Sequence, residues 1–487
     1  MRHRSSNPSV SAAPSAPPHV MSREEATQTA KRLLSLSKAV CIQHVVNAVT
    51  QVADDRVLLA RNGESFKVML APVGVNGQYP VTVETNQLDD VAIRSAIEQA
   101  ARWVGAQRTS YFPLDPPSAP DVPMKPVSFI PVKLAHDTTI AAMTDGRRSA
   151  VTQMLGAMRA QHVTGAATVA LSARSVIYMY PDGLTAFGES TDAEVIVNAR
   201  TQGTNGVGWS AATARDWSRI DPEHVAAQAI DLAQRAANPV VVEPGRRTVI
   251  LEPTAVAQFL RHMDEAFQAQ NVEYGTSPFS KGVGHGTRLG QRLFDPRVTI
   301  TTDPADAEGG YFPFFDTLWY GDGLPSPAMT LVKDGVLANL SYDVAFGLKQ
   351  GKTYSVPPSS YRMSGGPATV AEMIAGCTDG IYVTRFGNTD LVEPSTGLVT
   401  GTTQGGCFLV RNGKIDKPIK SLRFLDSPIF CLNRLQMIGA PVRAAMGTTP
   451  PPAALGFEAG EQWPFPPVIV PPLMIGDFNF VALSDAV

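Results

Sequence analysis

Imidazole and carboxylate side chains lie close together in the stretch LEPTAVAQFLRHMDEAFQAQ, residues 251–270. Its apolar residues recur at helical spacing, which predicts one helix with an apolar stripe against a core. The stripe consists of Val256, Leu260, Met263 and Phe267. His262 and Glu265 would lie on the opposite side, three residues apart, where side chains of a helix face each other.

Two interpretations of this pair remain open. His262 and Glu265 could supply two ligands to a metal ion, or they could belong to an ordinary polar helix face. Zinc needs a third protein ligand, and the H-E-x-x-H pattern is absent. His285, in the glycine-rich stretch KGVGHGTRLG, is the nearest candidate third ligand along the chain. The polar face is favoured, and no residue is assigned a catalytic role on this pattern alone.

Other nucleophile and phosphate motifs are missing. The sequence contains neither G-x-S-x-G nor a P-loop, and its cysteines, Cys41, Cys377, Cys407 and Cys431, form no C-x-x-C pair. Cys407 lies in a strand-like run, which predicts a buried and unreactive thiol. The aromatic stretch YFPFFDTLWYGDG is compatible with a core, a cleft or an interface.

Length and composition restrict the class of protein. A chain of 487 residues with 44% hydrophobic residues predicts two or three globular domains. The net charge of −3 gives no basic surface for nucleic acid or anionic membrane. No apolar run is long enough to span a membrane, and few scattered cysteines favour the cytoplasm. The Ser/Pro/Ala-rich composition of residues 1–21 predicts a disordered tail, and Met21 is a candidate for the natural start of translation.

Local signals predict an α+β fold with mixed, mostly antiparallel sheets. Capping boxes at Ser22/Glu25 and Thr369/Glu372, and Asp221 before a proline, predict helix starts. A further helix is expected over residues 145–162. Turn pairs predict hairpins at Asn62-Gly63, Asn76-Gly77, Asp334-Gly335 and Asn412-Gly413. No alternating βαβ pattern runs along the chain, which disfavours a Rossmann or TIM architecture.

Several stretches together resemble the TldD/PmbA family, the modulator-of-gyrase proteins. They include RVLLARNGESFKV, YPDGLTAFGESTDAEVIVNARTQGTNGVGWS, NPVVVEPGRRTVILEPTAVAQFL and GLVTGTTQGGCFLVRNGKIDKPIKSLRF. The resemblance implies an N-terminal α/β region followed by a β-rich, barrel-like C-terminal domain. With the composition it suggests an N-terminal unit over 22–110, a Pro-rich connector over 111–133, a central unit over 134–244 and a metallopeptidase-like domain over 245–487.

The catalytic, TldD-type members of that family carry an H-E-x-x-x-H helix and a cysteine near the C-terminus. Anchoring on TSPFS, residues 276–280, places Leu260 and Glu265 where the ligand histidines belong, and Arg261 where the base belongs. No cysteine follows Cys431. The resemblance therefore implies no metal in this chain, and zinc in a TldD-type partner. It also makes Thr276, Ser277 and Phe279 candidates for the substrate cleft.

The chain accordingly resembles the non-catalytic, PmbA/TldE-type subunit of a heterodimeric metallopeptidase that processes unfolded or modified peptides. A stand-alone tailoring enzyme of peptide or natural-product biosynthesis is a second hypothesis, since fold does not fix function. His262, Glu265 and His285 are its first candidate residues. The third hypothesis is a homodimeric scaffold that binds peptides.

Overall fold

The computed structural model describes residues 18–54, 56–72, 87–107, 133–179, 185–310, 328–342, 344–352, 355, 360–446 and 467–484. Residues 1–17 of the predicted tail, the Asn76-Gly77 pair, most of the Pro-rich connector and the aromatic stretch beginning at residue 311 lie outside these ranges. Met21 is buried, and its backbone N–H donates to His44 Nδ1 over 2.9 Å.

The N-terminal half is built on one sheet with helices packed against it. Its strands are β1 (Ser37–Ala53), β2 (Arg56–Pro72), β3 (Lys133–Leu134), β4 (Val163–Met179), β5 (Thr185–Thr201) and β6 (Val207–Ala214). Its helices are α1 (Arg23–Leu33), α2 (Asp90–Gln107), α3 (Asp137–Ala142), α4 (Gly146–Ala160) and α5 (Pro222–Arg235). The strand order is β2-β1-β4-β5-β3, and β6 also pairs with β5. Because β1 pairs with β4, the predicted N-terminal and central units share this sheet.

Helices α4 and α5 cover one face of this sheet. Apolar residues of both helices form a buried cluster with β4 and β5, including Met154, Val169, Val195 and Ala229. Helix α5 approaches β6 so closely that a Cβ on Gly208 would clash with the carbonyl oxygen of Ala229. A residue without a side chain is therefore required at this crossing.

The C-terminal half begins at a strand and contains two further sheets. Its strands are β7 (Gly245–Leu251), β8 (Ile300–Thr302), β9 (Met329–Lys333), β10 (Val336–Leu337), β11 (Tyr361–Met363), β12 (Asp379–Glu393), β13 (Leu398–Arg411), β14 (Lys414–Pro418), β15 (Leu422–Asp426), β16 (Leu435–Ile438), β17 (Val442–Arg443), β18 (Val468–Val470) and β19 (Leu473–Leu483). Its helices are α6 (Pro253–Leu260), α7 (Ala269–Glu273), α8 (Val344–Lys349), α9 (Val370–Gly376) and α10 (Pro428–Cys431).

Five of these strands close into a barrel. The pairings run β12-β7-β19-β15-β13, and β13 pairs back with β12. The other C-terminal sheet has the order β10-β9-β8-β11-β18-β17. Among the described pairings most are antiparallel, with β7–β12, β11–β18 and β3–β5 as parallel exceptions. The predicted α+β class with a barrel-like C-terminal domain is confirmed.

The three helix starts predicted from capping residues are confirmed. Ser22 and Thr369 cap α1 and α9 with complete capping boxes, and Asp221 caps α5 ahead of Pro222. The hairpin predicted at Asn62-Gly63 is wrong, because both residues lie inside β2. The chain turns instead between Ala53 and Arg56, which pair across β1 and β2. A Cβ on Gly63 would lie 2.6 Å from Asn47 Oδ1, so this glycine accommodates a close neighbour rather than a turn.

None of the helices in the described ranges combines the length and apolar character needed to cross a membrane.

Candidate functional site

The single helix predicted over residues 251–270 is wrong in its extent. Leu251 ends β7, and α6 covers only Pro253–Leu260. Two 3-10 turns follow, Arg261–Met263 and Glu265–Phe267, before the short α7. Between them and α7, Gln268 is extended, with φ −73° and ψ 120°. His262 and Glu265 therefore lie in different turns rather than on one helix face.

Tertiary hydrogen bonds explain why the chain leaves helical geometry at Gln268. Residue Ser341 forms a bridge beside Gln268: its N–H donates to Phe267 O, and its carbonyl accepts from Ala269 N, each over 2.8 Å. The carbonyl of Ala266 accepts from Ser277 Oγ over 2.7 Å. These bonds satisfy groups that a continuous helix would have bonded internally, so helical periodicity was overridden by packing.

The apolar stripe is confirmed: Val256, Leu260, Met263 and Phe267 are all buried. His262 is half-buried, and its Nε2 is buried with no hydrogen-bond partner among the described residues. Burial and, to a lesser extent, the neighbouring Arg261 charge lower the pKa of His262 to about 4, although Asp390 partly opposes them. Glu265 is exposed to solvent. The imidazole is thus held neutral without a contact to this carboxylate.

The remaining candidate residues are placed in different environments. His285 is exposed on a loop, and its backbone N–H donates to Gly282 O over 2.9 Å. Thr276 is exposed, and its hydroxyl donates a hydrogen bond to the carbonyl oxygen of Asn271. Ser277 and Phe279 are buried, and Phe279 packs against Phe267 with ring centroids 5.0 Å apart. A substrate-cleft role for Thr276, Ser277 and Phe279 remains a prediction.

The donor set does not fit the zinc site of a TldD-type subunit. Within the described ranges, no group of three or more His, Cys, Asp or Glu side chains could hold a metal ion. Burial raises the pKa of Cys407 to about 12 and that of Cys431 well above its usual value. Zinc binds thiolates, so these thiols are poor ligands where they lie.

A cavity that the sequence did not reveal lies beside the start of α6. Its volume is about 370 Å³, and its wall includes Glu252, Thr254 and Tyr382. Glu252 is the N-cap of α6, and its Oε1 accepts a 2.6 Å hydrogen bond from the Tyr382 hydroxyl. Burial raises the pKa of Glu252, which the bond from Tyr382 partly opposes. The sequence signal that could have pointed to this cavity is a glutamate directly before Pro253, because Glu is an uncommon N-cap residue.

Replacing His262 with leucine should make the protein less sensitive to acid. Because the folded pKa is about 4 and the unfolded pKa about 6.5, stability from this group is complete above pH 6.5 and is lost as pH falls toward 4. Between pH 7 and pH 5 the wild-type chain should lose about 2 kcal/mol more than His262→Leu. Denaturant unfolding at both pH values measures this difference.

His224→Leu is the matched control, because His224 is exposed on α5. It should keep the pH dependence of the wild type. Equal pH dependence of the His262→Leu variant and the wild type would contradict the placement of a neutral, desolvated imidazole at this position.

The C-terminal half of the chain matches a known protein family. Residues 244–481 match the PmbA/TldA metallopeptidase C-terminal domain. A metalloprotease of Archaeoglobus fulgidus is 24% identical over 222 residues, which are 43% of this chain and 49% of that protein. A metalloprotease TldD homologue of Haemophilus influenzae is 25% identical over 165 residues, 31% of this chain and 33% of that protein. The matches thus span about half or less of these curated relatives.

Solved structures share the fold over nearly the whole chain. TldE from Thermococcus kodakarensis superposes with a TM-score of 0.73 at 14% identity, covering 93% of this chain and 99% of that one. A protein named as a modulator of DNA gyrase from Bacteroides thetaiotaomicron gives a TM-score of 0.71 at 16% identity, covering 95% of this chain and 100% of that one. Residues 244–481 therefore form a C-terminal domain of the PmbA/TldD family, and the chain as a whole has the fold of these solved structures.

Proposed function

We propose that this chain is the non-catalytic, metal-free partner subunit of a TldD-type zinc metallopeptidase that processes unfolded or modified peptides. The observation that carries the proposal is the segment following α6. Where the family's metal-binding helix belongs, this chain has Leu260, Arg261 and Glu265, and its backbone breaks into 3-10 turns. Neither the side chains nor the backbone would hold two imidazoles one helical turn apart.

The comparisons support two separate parts of the proposal, the link to a metallopeptidase and the TldE-type fold. The curated relatives are named as metalloproteases, and a solved structure of the same fold is named TldE. In the proposed assembly, the TldD-type subunit supplies zinc and the attacking water, and this chain supplies a wall of the peptide cleft. The four cysteines are buried and form no disulfide, which accords with a reducing cytoplasm as the compartment.

Co-expression with a TldD-type protein from the same genome tests the proposal. We expect a heterodimer on size-exclusion chromatography with light scattering, and peptidase activity on an unfolded peptide only when both chains are present. The triple variant of this chain with alanine at His262, Glu265 and His285 should leave the zinc content per heterodimer unchanged. Metal analysis by mass spectrometry measures that content, and alanine at the partner's own H-E-x-x-x-H motif is the matched control.

The opposite outcomes favour the other hypotheses. Chelator-sensitive peptidase activity in the isolated chain would overturn the proposal and favour a stand-alone enzyme. A stable homodimer that ignores the TldD-type protein and still binds peptide would instead favour the scaffold.

A further inference from the structure

The cavity beside α6 lies between the two halves of the chain. Its walls come from β6 and α5 on one side, and from the start of α6, β12 and the segment beginning at β17 on the other. Small-molecule sites commonly have volumes of about 300–1,000 Å³ and occur where domains meet. At about 370 Å³, this cavity suits a ligand about the size of a dipeptide.

Glu252 carries the uncompensated charge of this cavity. One carboxylate oxygen accepts from the Tyr382 hydroxyl, and in the described part of the chain no lysine or arginine forms an ion pair with it. The side chain does not cap α6 through a hydrogen bond either. Moving a carboxylate out of water without a counter-charge is costly, and burial accordingly raises its pKa.

The basic residues of the cavity wall already have partners. Arg235 pairs with Asp231 over 3.1 Å, and its guanidinium lies 5.4 Å from the Phe408 ring centroid. Arg443 binds the carboxylate of Asp192. Asp192 is shared between Arg443 and Arg215, and Arg443 Nε has no partner among the described residues. An anionic ligand could bond that one donor but would also meet Glu252, whereas a cationic ligand would supply the charge that Glu252 lacks.

We infer that this cavity binds a primary ammonium group, with Glu252 as its counter-ion. An ammonium has three N–H donors, and two further acceptors line the cavity: the Tyr382 hydroxyl oxygen on the side of Glu252 and the Gln228 amide oxygen on the opposite side. Gln228 already accepts from Ser210 Oγ over 2.9 Å, which orients its amide oxygen. The ammonium could belong to a peptide N terminus or to a lysine-type side chain. The inference is independent of the proposed function, because it requires no second subunit.

Three small probes distinguish the two sources. Alanyl-alanine amide has only an N-terminal ammonium, N-acetyl-lysine amide has only a side-chain ammonium, and N-acetyl-alanyl-alanine amide has neither. In calorimetric titrations of the full chain, we expect one or both ammonium probes to bind and the acetylated alanine probe not to bind. The tighter of the two ammonium probes identifies the source.

Glu252→Gln should weaken binding of the ammonium probe roughly tenfold to a hundredfold, since a charge-assisted hydrogen bond becomes a neutral one. Glu243→Gln removes the same charge at an exposed position and should leave the affinity unchanged. Ala211→Phe narrows the cavity without changing Glu252 and should also weaken binding. Thermal unfolding of each variant shows whether it is folded. If Glu252→Gln does not fold, the inference is tested by two other results: the affinity of Ala211→Phe for the ammonium probe, and the affinity of the wild type for the acetylated probe.

The inference is overturned if the acetylated probe binds as tightly as the ammonium probes, if a folded Glu252→Gln variant keeps full affinity, or if no probe binds at millimolar concentration.

Discussion

Replacing Asp192 with alanine is expected to lower the free energy of unfolding by about 3–5 kcal/mol, because it leaves buried charges without their partner. Asp192, on β5, accepts a hydrogen bond from Arg443, on β17, and its other oxygen lies 3.7 Å from Arg215 Nη1. All three side chains are less than a tenth exposed. Removing the single carboxylate would leave two guanidinium groups in a buried environment, and it would also loosen the contact between the two halves of the chain.

Asp231→Ala is the matched control for this prediction. Asp231 pairs with Arg235 one turn along α5, but both side chains are about half exposed. An exposed pair of this kind contributes about 0.3–0.5 kcal/mol. Denaturant unfolding should therefore separate the two variants clearly, and similar losses in both would show that the Asp192 cluster is not desolvated.

Phe259→Ala is expected to cost about 3–5 kcal/mol of folding free energy, as large-to-small changes of fully buried aromatic residues do. Phe259 lies on α6 and contacts three phenylalanine rings of the barrel strands. Its ring centroid is 6.3 Å from that of Phe386, 5.6 Å from Phe424 and 5.8 Å from Phe478. All four side chains are fully buried, so the truncation opens a cavity that rigid strands cannot close.

The control for this variant is Phe430→Ala, because Phe430 is 57% exposed. Its loss should stay within about 0.5 kcal/mol. Thermal and denaturant unfolding report both values. A small loss at Phe259 would mean that α6 moves to fill the space, and it would contradict the tight packing of this helix against the barrel.

The features that the sequence predicted correctly are those decided by near neighbours. A capping box needs only the hydroxyl of Thr369 and the carboxylate of Glu372, which lie three residues apart and bond each other's backbone. The turns at Asp334-Gly335 and Asn412-Gly413 likewise depend on residues that tolerate positive φ. The burial of the apolar stripe from Val256 to Phe267 followed from periodicity alone.

The features that the sequence did not predict depend on partners far along the chain. Ser277 and Ser341 bond the carbonyls of Ala266 and Phe267, which a continuous helix would use, and no local pattern indicates this. The cavity also depends on residues distant in sequence, since Glu252 and Tyr382 meet only because β7 and β12 pair side by side. The sequence therefore predicted which segment of the chain deserved attention, but it did not predict the backbone course of that segment or the cavity beside it.

The closed barrel has a consequence for the order of events in folding. Strand β19 lies between β7 and β15, and Phe480 pairs with Gly245. During synthesis the first barrel strand therefore leaves the ribosome long before its partner exists, and it must wait with its hydrogen-bonding edge unpaired. Pairing of strands so distant in sequence is slow, because a long loop must close first. The newly made C-terminal half is consequently most prone to aggregation just before its last strand is made.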